Sequence, residues 1–152
     1  MCGILGCLAL DSKIDLDTIK VLDKSLLKNH RGPDNQNTFI DNSSQIYLGH
    51  QRLSIRDLSA DSNQPIFSKD GRYIMSYNGE IYNTEKLIQK YDFLSKDRSN
   101  SDTIILIELI SNIGFEKTIS EIDGMFAIAV WDKEEKNLYL ARDKFDEKPL
   151  YY

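Results

Sequence analysis

The opening ten residues, MCGILGCLAL, constrain this chain more than any other stretch. Chain ends are usually poorly ordered, yet residues 3–10 are apolar apart from glycine and cysteine, the composition of a buried strand whose glycines allow close approach. The fold must therefore take the N-terminus into a sheet and build around it. Alternation along that strand puts Cys2 and Cys7 on opposite faces. Five positions of extended chain separate them by about 16 Å, too far for a disulfide. No basic segment precedes the apolar run and Asp11 follows at once, so it reads as mature sequence rather than as a signal peptide. Two cysteines without zinc spacing to His30 or His50 give no expectation of a metal and fit a reducing, cytoplasmic compartment.

At 152 residues the chain has the length of one domain. Its 24 acidic and 19 basic residues leave a net charge of −5, which excludes nucleic acid or an anionic membrane as a general partner. No apolar run reaches transmembrane length. Periodicity predicts a helix over 15–28 with Leu16, Ile19, Leu22 and Leu26 as its apolar stripe, and a loop at HRGPD (30–34). Strands are expected over 46–55 and 73–77, with the turn-rich segment 57–71 between them and Asn78-Gly79 as a turn closing the second. A short helix over 83–91 with an Asn or Thr cap follows, then an apolar helix from Ser101-Asp102 to Gly114. Residues 125–132 and 138–143 form a hairpin around KEEKN. The order predicts a layered α+β domain.

Removal of Met1 would leave Cys2 with both a thiol and a free α-amine. That amine has a pKa of about 7.7–8.0, against about 10.4 for lysine, so one residue supplies a nucleophile and its own base. Gly3 lets the backbone bend so that both face one substrate. A thiol that attacks an amide also needs oxyanion donors and handles for the substrate's charges. Asn78 and Gly79 offer a side-chain amide and a backbone N–H. Arg52, in GHQRLSI, offers a planar fork for a carboxylate, and Asp102 offers a carboxylate for an ammonium group. Each also has a plain structural use: Cys2 as a small buried side chain, Asn-Gly as a hairpin turn, Arg52 in a surface ion pair, Asp102 as a helix cap.

Taken together, MCGI (1–4), HRGPD (30–34), GHQRLSI (49–55), QP (64–65), NGEIYN (78–83), SDT (101–103), DGMFAIAVWD (123–132) and ARDKF…KPLYY (141–152) resemble the class II glutamine amidotransferases. NGEIYN resembles in particular the glutaminase half of glutamine-hydrolysing asparagine synthetases. The resemblance implies an N-terminal-nucleophile hydrolase fold, a four-layer αββα sandwich of two antiparallel sheets with outer helices. It implies Cys2 as nucleophile with its own amine as base, and Asn78 and Gly79 as the oxyanion hole. Arg52 would hold the α-carboxylate of L-glutamine, Asp102 and Glu80 its α-amino group, and Leu53, Ser54, Ile55 and Arg56 would line the pocket through their backbone. The implied reaction turns glutamine and water into glutamate and ammonia through a γ-glutamyl thioester.

Two departures stand out. Asp146 occupies a turn position where the family usually has glycine, and should adopt a left-handed conformation under some strain. The family also continues past the equivalent of LYY with further strands and an ATP-using synthetase domain, whereas no pyrophosphate-binding loop occurs here. The expectation is therefore one amidotransferase domain, 1–152, incomplete at its C-terminus. ATP and Mg²⁺ would belong to a synthetase domain or a separate synthetase chain, and a homo-oligomer is left open. PLYY reads as β-forming, so its edge should need covering. A rival reading is a non-catalytic regulatory or structural relative. The intact Cys2, Asn78, Gly79, Arg52 and Asp102 speak against it. A third, an amidase for another acyl amide, is disfavoured by the paired handles for a free amino acid.

Overall fold

The N-terminal strand is where the sequence places it. In a computed structural model describing residues 2–10, 12–27, 30–41, 45–54, 60–94 and 101–152, β1 (Gly3–Leu8) runs antiparallel to β3 (Ile46–Arg52), with Gly3 opposite Gln51. The other side of β3 pairs with β2 (Asn35–Asp41). Every residue of β3 is buried, as befits the centre of this three-stranded sheet. Helix α1 (Leu16–Leu27) lies on its outer face. A Cβ on Gly49 would sit 3.0 Å from Leu26 Cδ2, and the Tyr47 hydroxyl donates to Asp23 at 2.8 Å.

The second sheet has the order β4 (Ile66–Phe67), β5 (Tyr73–Ile81), β6 (Gly124–Asp132), β7 (Asn137–Arg142), antiparallel throughout. Helices α2 (Thr84–Lys90), α3 (Asp102–Ile113) and α4 (Phe115–Glu121) cover its outer face. Alternation sorts the side chains. Met75, Tyr77 and Ile81 of β5 join Leu106, Leu109 and Ile110 of α3 in the larger core. Ile74 and Trp131 face the other way and pack on Ile46 and Leu48 of β3. Two antiparallel sheets thus stack face to face between α1 and the remaining helices, the αββα sandwich the resemblance implies.

Several local expectations are corrected. Asn78-Gly79 is not a turn: both lie inside β5, opposite Ala127 and Phe126. The glycine is required there by crowding, since a Cβ on Gly79 would fall 2.2 Å from the Met125 carbonyl oxygen. Asn83 makes no cap bond to α2. Its side chain instead ties the start of α2 to the connection between α4 and β6, donating to the Glu121 carbonyl at 2.9 Å and accepting from the Asp123 N–H at 2.9 Å. Leu16 is exposed, so the buried stripe of α1 narrows to its C-terminal end at Leu26. Gly114 does end α3, at φ 84°, but its carbonyl also accepts the N–H and hydroxyl of Thr118 and so starts α4. PLYY forms no strand. Asp146 adopts the expected left-handed conformation, φ 60°.

Three buried ionisable groups bear on stability. Burial pushes the Asp132 carboxyl up, but the Arg72 fork and the N–H groups of Glu135 and Glu134 more than offset it and leave it below its ordinary value. Asp143 behaves alike: burial raises it, and the N–H groups of Glu147, Lys148, Phe126 and Phe145 bring it lower. His50 has no exposed surface. Burial pushes it down to about 4, with the Arg52 charge adding to that and the hydrogen bond at Tyr77 opposing it.

The unfolded chain binds a proton at a histidine near pH 6.5, whereas the folded chain keeps His50 neutral down to about pH 4. His50 thus stabilises the fold fully above the first value, and that contribution is lost as pH falls toward the second, by roughly 3 kcal/mol in all. The low carboxyls of Asp132 and Asp143 hold their contribution to lower pH still. Urea midpoints should fall between about pH 7 and about pH 4.5, and His50→Gln should remove most of that slope. An equal slope in the variant would assign it to another group.

Candidate active site

The register of β1 on β3 carries Cys2, the residue before β1, to a position beside Arg52 and Leu53 at one end of the first sheet. The facing sheet brings β5 to the same end, and alternation turns Asn78 and Glu80 toward it from the face that Ile74 shares. The start of α3 contributes Asp102, and Ser62 and Gln64 close another side. Together they bound an open pocket of about 150 Å³ that also contains Leu53, Ser54, Gly79 and Tyr77. Ile55 and Arg56 lie outside the described residues. Among the described residues, no cluster of three His, Cys, Asp or Glu side chains could hold a metal ion, and no helix is long and apolar enough to cross a membrane.

The thiol rests on backbone. Cys2 Sγ accepts the Leu53 N–H at 3.3 Å and lies 3.7 Å from the Leu53 carbonyl oxygen. The HRGPD loop supports both partners: Arg31 donates to the Cys2 carbonyl at 3.4 Å, and Asp34 accepts the Ser54 N–H at 2.7 Å. This loop thus holds the Cys2 backbone and the segment on which the thiol rests. Cys7, opposite Tyr47 on the α1 side of the sheet, faces away from the pocket.

Gly79 owes its value to strand parity. Residues of a central strand send their N–H and C=O alternately to either neighbour. On β6, Phe126 bonds outward to Asp143, so Ala127 bonds toward β5 and meets Asn78. Gly79 and the other odd residues of β5 therefore direct their N–H groups away from β6. On that edge Met75 meets β4, the Tyr77 N–H donates to Gln64 Oε1 at 2.6 Å, and the Ile81 N–H donates to Asp102 Oδ2 at 3.1 Å. No hydrogen bond from the Gly79 N–H is found among the described residues, and the pocket lies in front of it. Beside it, Asn78, a residue 7% exposed, adds a side-chain amide.

Arg52 and Asp102 also line the pocket. Arg52 is buried, with Nη1 donating to Asn63 Oδ1 at 2.7 Å. Asp102 accepts the Tyr77 hydroxyl at 2.8 Å and the Thr103 N–H at 2.9 Å besides the Ile81 amide, so it is both a tie between α3 and β5 and a wall of the pocket. Ser101 donates no cap bond; its hydroxyl accepts that of Ser62 at 2.6 Å. Reading the sequence missed Asn63, Gln64, Tyr77 and Lys148 as pocket or supporting residues. QP and KPLYY stood among the quoted motifs, but nothing in their spacing says that the intervening chain folds back onto β5.

The glutamine amidotransferase domain family matches residues 1–152. The chain is 34% identical over 155 residues to asparagine synthetase 2 (glutamine-hydrolysing) of Bacillus subtilis, covering 100% of this chain and 20% of the relative. It is 35% identical over 154 residues to the glutamine-hydrolysing asparagine synthetase of Sandersonia aurantiaca, with coverages of 99% and 28%. To asparagine synthetase B of Escherichia coli it is 34% identical over 153 residues, with coverages of 99% and 26%. The chain spans under a third of the length of these relatives. By sequence along its whole length, and by the sandwich that places its N-terminal cysteine in the pocket, it belongs to the glutamine amidotransferase domain family.

Proposed function

We propose that this chain hydrolyses the side-chain amide of L-glutamine. The observation that carries the reading is the Cys2 thiol sharing one pocket with an open backbone N–H at Gly79, the Asn78 amide, and oppositely charged handles at Arg52 and Asp102. With Met1 removed, the Cys2 amine takes the thiol proton and Sγ attacks the amide carbon. The oxyanion forms against the Asn78 amide and the Gly79 N–H. Its collapse breaks the C–N bond, and the proton leaves with ammonia. Water, deprotonated by the same amine, then attacks the thioester and releases glutamate and the thiol. Arg52 holds the α-carboxylate, and Asp102 with Glu80 the α-ammonium. Leu53 and Ser54 contribute backbone. The relatives' names include asparagine synthesis, so ammonia transfer to a synthetase domain or chain that uses ATP and Mg²⁺, in the cytoplasm, belongs to the same reading.

Glutamate release from glutamine should be abolished by Cys2→Ala. The active protein should be lighter than the full sequence by one methionine, and a diazo or chloroketone glutamine analogue should label Cys2 and spare Cys7. Labelling at Cys7, or turnover by a form retaining Met1, would sink the mechanism.

Arg52→Lys keeps the charge but loses the fork, so KM for glutamine should rise by the equivalent of about 1–3 kcal/mol. An unchanged KM would make Arg52 a structural residue. Asn78→Ala should lower kcat by about 10²–10³; a wild-type kcat would remove it from the oxyanion hole.

A further inference from the structure

We infer that His50 and Gln64 are positioning residues that clamp the backbone C=O and N–H of Tyr77 and thereby aim the Asn78 and Gly79 donors, an inference that rests on the glutaminase reading. Strand β4 covers the outer edge of β5 only at Ile74 and Met75. Past that point an ordinary sheet would supply another strand. Here two side chains take its place. The Tyr77 N–H donates to Gln64 Oε1 at 2.6 Å, and the Tyr77 carbonyl lies 3.1 Å from His50 Nε2. A carbonyl can only accept, so Nε2 carries the proton.

The peptide between Tyr77 and Asn78 is planar. Holding the Tyr77 carbonyl therefore sets the plane from which the Asn78 Cα, its side chain and then the Gly79 N–H depart. Gly79 is the next outward-facing amide after the clamp, and Ile81, the one after it, is pinned by Asp102. The open donor thus sits between two fixed points.

Both clamping side chains are deeply buried, Gln64 at 3% and His50 at 0% exposure. His50 Nδ1 has no partner among the described residues. A buried acceptor left unpaired is unfavourable, and an apolar residue would fill the site without that defect. The His50 ring does not bound the pocket, so it acts through the Tyr77 peptide rather than on the substrate. Both clamping groups are also uncharged, His50 because its burial keeps it neutral, so the clamp adds no charge competing with the oxyanion field.

The test compares wild type, His50→Leu, His50→Gln and Gln64→Leu by kcat and KM for glutamate release, together with hydrogen exchange of peptides spanning 76–80. Glutamine's side-chain N–H₂ reaches about where His50 Nε2 lies, so His50→Gln keeps a donor while His50→Leu removes it. His50→Leu should lower kcat about 10- to 100-fold, the scale of a misplaced reacting group, with KM within about threefold. His50→Gln should recover most of that loss. Both leucine variants should speed exchange at 77–79. His50→Leu added to Asn78→Ala should cost little beyond Asn78→Ala alone, because both act on the same donors. Equal losses in the Gln and Leu variants, an effect on KM alone, additive losses, or unchanged exchange would each overturn the clamp. If His50→Leu does not fold, Gln64→Leu carries the same comparisons. A wild-type protein without Cys2-dependent glutamate release would overturn the glutaminase reading instead, and the exchange measurement still decides the clamp.

Discussion

The structure depends on how β5 satisfies its two backbone edges. One edge bonds along its whole length to β6. The other meets β4 for two residues and is then completed by Gln64, His50 and Asp102, with a gap at Gly79. Backbone N–H groups in a sheet are nearly always paired, so a gap in such a row is informative: no partner of the Gly79 amide is found among the described residues, and it faces the pocket. The same strand divides the molecule, sending Tyr77 into the helical core and Asn78 into the space between the sheets. Core and site are two faces of one strand.

The Cys2 thiol is held by the complementary device. Cys2 precedes β1, and its neighbours pair with β3 from Gly3 onward. Its thiol is then seated on the Leu53 backbone, with Arg31 at its carbonyl. A residue at a chain end is thus positioned by groups from two distant segments. Asp34 does for Ser54 what Arg31 does for Cys2, which gives the Arg and Asp of HRGPD separate purposes around Gly32. That glycine, at φ 53°, could not accept a Cβ, which would lie 2.3 Å from the Gln51 carbonyl carbon.

Buried carboxylates fasten both ends of the second sheet, Asp143 beside Phe126 at the pocket end and Asp132 opposite Tyr73 at the other. Asp143 collects four backbone N–H groups and thereby folds the segment that brings Lys148 to the pocket. Asp132 receives Arg72 in a two-pronged contact and caps the β6–β7 turn. In both cases the charge is offset by several donors at once, the condition under which a buried carboxylate is tolerated.

Much of the fold was legible because local patterns agreed with the tertiary outcome. The apolar run after Cys2, the stripe of α3 and the alternation of the β6–β7 hairpin are strong periodic signals, and each formed close to where the sequence predicts. Strand β2 was not anticipated: NQNTFID is polar, and an edge strand that borders solvent need not be apolar. Helix α4 was hidden by Gly114, which ends one helix and starts the next. The Asn-Gly pair was misread because its turn signal is local, while the demand for a glycine at 79 comes from Met125, 46 residues later in the chain.

The chemistry of the site separates along the same line. Residue types carry intrinsic capacities, so the sequence by itself determined which groups could act: a thiol at position 2 that would gain a free amine on removal of Met1, an amide donor, a guanidinium fork and a carboxylate. Tertiary structure decided which of them meet. Strand parity turned the Gly79 N–H outward, sheet stacking set Asn78 across from Cys2, and Asp102 acquired a double duty as strand anchor and pocket wall. These assignments rest on register and on contacts between segments far apart in the chain, and a one-residue shift of either strand would reverse them.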